Sequence, residues 1–156
     1  MTEKNTLLIV DDYEFNRRMI TEMFPDYTAI EAENGFKAIE EYEKHKDEIC
    51  AVLSDIMMPV LDGFGLLEYF YKNKYSDNVP VFMISADNSP KTLQRAYSLG
   101  AQNVLNKSSN QNFLVKQIEN TIELYRLRRI VNELNGDRKD TKTPAQTELS
   151  DDIDAE

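Results

Sequence analysis

Five residues that could do chemistry together stand just after short apolar runs. Leu7-Leu8-Ile9-Val10 leads into Asp11-Asp12. Ile49 to Leu53 leads into Ser54-Asp55, Val79 to Ile84 into Ser85-Ala86, and a weaker run, Ala101 to Leu105, is followed by Lys107. If these runs are neighbouring strands of one parallel sheet, three carboxylates, a hydroxyl and an ammonium meet beyond the strands' carboxyl ends, where open α/β sheets bind ligands. Three carboxylates within a few ångströms repel and raise one another's pKa unless a cation lies among them. Mg²⁺ is the natural candidate, being hard and preferring oxygen ligands. Such an ion would also neutralise charge on an incoming phosphoryl group, whose transfer needs mainly positioning and electrostatic stabilisation. In that chemistry Asp55 is the nucleophile, giving an acyl phosphate. Lys107 supplies a point charge and Ser85 a hydrogen-bond donor. Each residue alone has a duller explanation. Asp11-Asp12 could be solvated strand-end acids, Asp55 and Ser85 turn or cap residues, and Lys107 a surface lysine. Their common placement is the signal.

The elements that must position them alternate regularly. After the first apolar run comes a helical pattern with Phe15, Met19, Ile20 and Met23, stopped near Pro25. Tyr27 to Ala32 reads as a second strand, and Asn34-Gly35 opens a helix with Phe36, Ile39 and Tyr42 on one face. The third strand is followed by Asp62-Gly63 and a helix bearing Phe64, Leu67 and Phe70. After the fourth, Ser89-Pro90 is an N-cap followed by proline in the first turn, and Leu93, Ala96 and Tyr97 mark a helix that Gly100 ends. From about Asn110 a long helical pattern carries Phe113, Leu114, Ile118, Ile122, Tyr125 and Val131. Five strands alternating with five helices predict an α/β fold, a parallel sheet covered on both faces. The near-continuous apolar strands agree with burial on both sides.

The formal net charge of −10 argues against nucleic acid or an anionic membrane as partner of a broad basic face. No run of apolar residues is long enough for a membrane span, and Met1 to Thr6 lacks the features of a secretory signal. The single cysteine, Cys50, permits no internal disulfide, which suits a reducing cytoplasm. Its apolar neighbours make it a small core residue. The only histidine, His45, lies in a charged helix end, so a phosphoryl donor must be another molecule. The last helix extends past what the sheet needs. Leu127, Ile130, Val131 and Leu134 would be exposed apolar surface, and a dimerising or signalling helix is the functional reading. Residues 137–156 hold seven acids against three bases and few large apolar residues, and are expected to be a disordered acidic tail or linker.

These stretches resemble the receiver family of two-component response regulators and are similar to the single-domain chemotaxis regulators. The matching segments are Leu7 to Asp12, Leu53 to Gly63 (with the Asp-x-x-Met-Pro-x-x-Asp-Gly pattern), Val81 to Ala86, and Lys107. The resemblance covers roughly residues 5–130, with 131–136 as an extension of the last helix. It implies a flavodoxin-like doubly wound sheet of strand order 2-1-3-4-5. It implies Asp55 as phosphoacceptor for a partner histidine kinase or phosphotransfer protein. Mg²⁺ would be held by Asp12 directly, by Asp11 largely through water, by Asp55 and by the backbone carbonyl of Met57. Ser85 and Lys107 would contact the phosphoryl group, and Asn16, Met57 and Asp87 lie where the family tunes its lifetime. The expected role is a cytoplasmic switch that catalyses only its own phosphorylation and dephosphorylation. It would present a protein-interaction surface to an output partner, with homodimerisation through the face of the fourth and fifth helices or through the long last helix.

Three departures bear on output. Ser108 follows Lys107 where the family usually has proline, which implies a differently set or looser loop. Val104 replaces the usual aromatic, so gating by that side chain cannot operate in the usual way. The fourth-strand hydroxyl is serine rather than threonine. A phosphorylation-independent binding scaffold is therefore the alternative. A phosphatase of the haloacid-dehalogenase type would need Asp-x-Asp at the first strand end, a spacing that Asp11-Asp12 lacks.

Overall fold

Alternation of side chains along each strand divides the core into two layers, and a computed structural model describing residues 4–136 shows how. The strands are β1 (Thr6–Val10), β2 (Thr28–Ala32), β3 (Ile49–Ser54), β4 (Val81–Ser85) and β5 (Asn103–Asn106). The helices are α1 (Glu14–Met23), α2 (Gly35–His45), α3 (Gly63–Lys72), α4 (Pro90–Ser98) and α5 (Gln111–Gly136). All strand pairs are parallel, in the order β2-β1-β3-β4-β5. This is the α/β architecture and strand order that the sequence predicts. Leu8, Val10, Val52, Val81 and Met83 pack in one layer with Ala38, Tyr42, Phe64, Leu67, Phe70 and Ala96 of α2, α3 and α4. Leu7, Ile9, Leu53, Phe82 and Ile84 pack in the other with Leu114, Ile118 and Ile122 of α5, against which Ile20 and Met23 of α1 also rest. Successive side chains of a strand thus serve opposite layers; β1, β3 and β4 are buried throughout, whereas β2, at the edge, exposes Thr28 and Glu31.

Local chemistry starts the helices where the sequence indicates. The side chains of Asn34, Asp62 and Ser89 accept from the amides of Lys37, Gly65 and Thr92, which satisfies orphan donors of the first turns. Gly100 follows α4 with φ +93°, the left-handed geometry that glycine adopts without a Cβ penalty. The strands β4 and β5 are shorter than their apolar runs. Pro80 has no amide hydrogen to give, and its carbonyl still accepts from Val52.

Three apolar residues assigned to core-facing helical patterns are exposed instead: Phe15, Phe36 and Phe113. Each stands in the first turn of its helix, α1, α2 or α5. In a parallel α/β fold that turn follows the carboxyl end of a strand, so these rings stand beyond the strand ends rather than over the sheet. Met19 is also exposed.

The chain falls into two compact units, one ending at Tyr125 and the other beginning at Arg126. The acidic segment 137–156 lies outside the described residues. No helix among the described residues is long and apolar enough to cross a membrane.

The turn between β3 and α3 admits no side chain at Gly63. A Cβ there would sit 2.5 Å from the Asp55 carbonyl oxygen and 2.8 Å from the Ile56 Cα. Both obstacles are backbone, so Gly63→Ala is expected to destabilise the protein by about 1–3 kcal/mol. The displaced strand end should also disturb Asp55. Urea unfolding, with chemical-shift changes at residues 55–63, measures both effects.

Candidate functional site

Strand register brings the acids together. Val10 pairs with Ser54 across β1 and β3, so the next residues, Asp11 and Asp55, leave the sheet side by side. Their amides are fixed by the ladder: the Asp55 N–H donates to the Val10 carbonyl at 2.9 Å and the Asp11 N–H to the Ala32 carbonyl at 3.1 Å. With Asp12, they place carboxylate oxygens within 4.8 Å of one another. Lys107, after β5, reaches across the rim with its Nζ 3.2 Å from Asp55 Oδ2 and 3.6 Å from Asp11 Oδ2. Its own amide donates to the Ser85 carbonyl at 3.0 Å, tying the ends of β4 and β5 together.

The two buried carboxylates are held differently. Asp55 is 8% exposed. Its Oδ1 accepts from the Ile56 amide at 2.8 Å. Burial pushes the Asp55 carboxyl above the ordinary aspartate value, the Lys107 ammonium opposes that rise, and the Asp11 charge adds to it. Asp11 accepts from the Tyr13 amide at 2.9 Å and from the Asn16 side-chain amide at 3.3 Å and 3.4 Å. The Arg17 guanidinium donates to the Asp11 carbonyl at 2.7 Å and pairs with Glu31. Asp12 contrasts with both, because its Oδ1 is buried and has no hydrogen-bond partner among the described residues. A buried, unpartnered carboxylate oxygen is costly in a protein interior. One that converges with two further carboxylates fits a hard divalent cation such as Mg²⁺.

The Ser85 Oγ accepts from the Asp87 amide at 3.0 Å. A hydroxyl has one donor besides its acceptor capacity, and that donor remains for a ligand oxygen. The loop Met57 to Leu61 follows Asp55. Among the described residues, the Met57 carbonyl accepts none of the backbone hydrogen bonds that tie loops and turns. The loop is pinned by the Gly63 amide donating to the Ile56 carbonyl at 2.7 Å and the Gly35 amide to the Leu61 carbonyl at 2.8 Å. Between these pins Val60 has φ +70°. A β-branched residue there is strained by roughly 1–3 kcal/mol, as residues beside functional sites often are.

All five side chains singled out at the strand ends therefore meet at one rim. Sequence reading missed Asn16 and Arg17 as the residues that orient Asp11, since their reach depends on how α1 leaves the rim. It also missed Asn106. The loop after Lys107, which lacks the proline, is set locally by Asn106, whose Oδ1 accepts from both the amide and the hydroxyl of Ser108, at 2.9 Å and 2.7 Å. The short, local spacing of an Asn-x-Ser turn could have revealed it. At Val104, which is buried, the missing aromatic has a counterpart on α4. The Tyr97 hydroxyl accepts from the Val104 amide at 3.2 Å and donates to Asn103 Oδ1 at 2.9 Å.

Residues 7–119 match the family model of the response regulator receiver domain. The chain is 30% identical over 129 residues to a probable chemotaxis protein CheY of Rhizobium etli, spanning 79% of this chain and 93% of that one. It is 32% identical over 110 residues to the two-component response regulator-like PRR73 of Oryza sativa subsp. indica, covering 69% of this chain but only 14% of the plant protein. Among solved structures, the CheX–CheY–BeF3–Mg complex of Borrelia burgdorferi is similar with a TM-score of 0.69 and 27% identity, over 75% of this chain and 88% of that one. Vibrio cholerae CheY4 aligns with a TM-score of 0.68 and 26% identity, over 76% and 98%.

The raised pKa of Asp55 has a definite sign. A carboxyl that binds its proton more tightly when folded makes stability fall as pH climbs from its unfolded value, near 3.8, through the raised folded one, and the deficit persists above it. Asp55→Asn removes the buried charge. It is expected to raise Tm at neutral pH in chelator-treated protein and to shrink the gain that wild type shows near pH 4. Calorimetry from pH 4 to 8 checks both.

Proposed function

The chain belongs to the response regulator receiver domain family, and from that membership we propose that it accepts a phosphoryl group on Asp55 from a partner histidine kinase or phosphotransfer protein. The observation that carries the reading is the rim itself: three convergent carboxylates with one lysine bridging Asp11 and Asp55. Asp12, Asp55 and the Met57 carbonyl would hold Mg²⁺ directly and Asp11 largely through water. The bound ion supplies charge neutralisation for the phosphoryl oxygens.

The chain's own groups account for the rest. An Asp55 carboxylate oxygen attacks phosphorus as the bond from phosphorus to the donor's imidazole nitrogen breaks, and the bonding electrons leave with that nitrogen. Lys107 shifts its ammonium from the carboxylate pair toward the phosphoryl oxygens. Ser85 turns its free hydroxyl proton to another of them. Water attack on phosphorus later returns inorganic phosphate and the Asp55 carboxylate, so the chain catalyses only its own modification and its reversal. A phosphorylated state that draws Ser85 inward must also move Asp87, whose amide now rests on the Ser85 hydroxyl, and with it the start of α4. That shift would present a changed surface to an output partner.

A protein donor suits the surroundings of the rim. Tyr13, Phe15, Phe36, Met57 and Val60 are exposed next to it, with Phe15 at 72% and Val60 at 82%. Beside Asp11 and Lys107 a groove of about 150 Å³ is floored by Met19, Ile20, Met23, Ile84 and Leu114. Apolar surface concentrated around a charged site is the composition of a docking face.

Three measurements test this. Intact mass after incubation with Mg²⁺ and acetyl phosphate should rise by one phosphoryl group, and Asp55→Asn should abolish the gain. Mg²⁺ at a hundredfold excess over its Kd should stabilise the protein by about 2.7 kcal/mol. Phe15→Ala should slow transfer from a phosphorylated protein donor roughly tenfold or more while leaving acetyl phosphate labelling unchanged. No mass gain, with partner affinity indifferent to Asp55→Asn, would establish the phosphorylation-independent scaffold instead.

A further inference from the structure

The backbone that carries two of the rim's acids is held by a cation from outside the rim. Arg17 of α1 has a side chain only 15% exposed. Its Nη1 donates to the Asp11 carbonyl at 2.7 Å, and its Nε donates to Glu31 of β2 at 2.9 Å. That carbonyl belongs to the peptide joining Asp11 to Asp12. A peptide is planar, so holding its oxygen also fixes the nitrogen and Cα of Asp12. Asp11 has other anchors: its amide donates to Ala32, and its carboxylate accepts from Tyr13 and Asn16. Asp12 differs, since its Oδ1 is buried without a hydrogen-bond partner among the described residues. The aim of that oxygen is set by the backbone beneath it.

We propose that Arg17 is a positioning residue for the cation site. It holds the Asp11–Asp12 peptide so that the Asp12 carboxylate meets those of Asp11 and Asp55, and Glu31 offsets the charge that Arg17 brings there. The inference rests on the reading of Asp12 as a direct ligand of Mg²⁺. The geometry suits arginine in particular. Two nitrogens of one rigid fork reach the end of β1 and the edge strand β2 at once, which a lysine ammonium on its flexible stem does not reproduce.

Charge by itself would argue against an arginine here, because a guanidinium beside a divalent cation is repelled by it. The ion pair with Glu31 answers that objection. Glu33 and Glu41 line the same cavity of about 220 Å³ beside the pair, adding further negative charge on its outer side. What Arg17 contributes to the site is therefore geometry, with its charge largely cancelled. Geometry and charge respond differently to salt, and that difference separates them by experiment.

Calorimetric titration of Mg²⁺ into the chelator-treated full chain reads the site without any phosphoryl transfer. Arg17→Met combined with Glu31→Gln removes both bonds at constant net charge and keeps an unbranched stem in place. It should raise the Mg²⁺ Kd roughly tenfold or more, and the rise should persist in about 0.5 M KCl. Glu31→Gln alone leaves the guanidinium on the Asp11 carbonyl with its charge uncovered. Its smaller rise in Kd should vanish in the same salt. In metal-free protein, the NMR order parameter of the Asp12 amide should fall below the rigid-backbone level of about 0.85 in the double variant only. Arg17→Lys keeps the charge, loses the fork and should raise the Kd several-fold, which carries the test if the double variant does not fold. Wild type that binds no Mg²⁺ overturns the metal reading and this inference with it. Wild type that binds, with an unchanged Kd in the double variant or in Arg17→Lys, overturns this inference alone.

Discussion

The rim depends on one electrostatic constraint: parallel pairing of β1 with β3 forces Asp11 and Asp55 to emerge as neighbours. Two buried carboxylates so close cannot both stay charged without a compensating cation. Lys107 supplies part of the compensation, and its position follows from the same sheet, because its backbone amide is bound to the end of β4. Asp12 remains uncompensated. The resting charge count is therefore three acids against one base, an imbalance that favours a divalent ion. On the function proposed above, a dianionic phosphoryl group there would need such an ion beside it.

That constraint explains why the neighbouring backbone is so tightly held. The segment after Asp55 must leave the sheet, pass the acids and enter α3 within a few residues. It does so through a glycine that no alanine could replace without moving the Asp55 carbonyl, and through a capping aspartate, Asp62, that orders the first turn of α3. Val60 takes a left-handed conformation between the two pins. The strain falls on a residue that is 82% exposed, where a valine side chain has neither packing nor burial to justify it. An exposed apolar side chain on a strained, pinned loop is understandable if the residue serves an interface.

Much of this was legible in the sequence. The order of the strands' apolar runs, the capping residues Asn34, Asp62 and Ser89, and all five rim side chains could be read because they depend on local pattern and on the rule that parallel sheets bind ligands at their carboxyl edge. What could not be read depends on the angle and reach of helices. Phe15, Phe36 and Phe113 fit an apolar periodicity, yet each lies in a first turn, beyond the end of the sheet. Asn16 and Arg17 serve Asp11 only because α1 leaves the rim at the angle it does. Asn106 is different, because its two-residue spacing from Ser108 is a local turn signal that the sequence does carry.

The same reasoning bears on how a signal could leave the site without the aromatic usual on β5. A switch needs a group whose partners differ between two states. Val104 offers no polar atom on its side chain, but its amide is bound by the Tyr97 hydroxyl, which is also bound to Asn103. An aromatic side chain thus still spans α4 and β5, anchored from the helix instead of the strand. Ser85 is linked to the start of α4 through Asp87, whose carboxylate accepts from the Ser89 amide and the Thr92 hydroxyl. Both ends of α4 are therefore tied by hydrogen bonds to strands whose carboxyl ends form the rim. A helix held by polar contacts at each end, with Ala96 as its one fully buried side chain, can be displaced with little loss of core packing. If Asp55 is phosphorylated as proposed, α4 is an element that the added charge can shift.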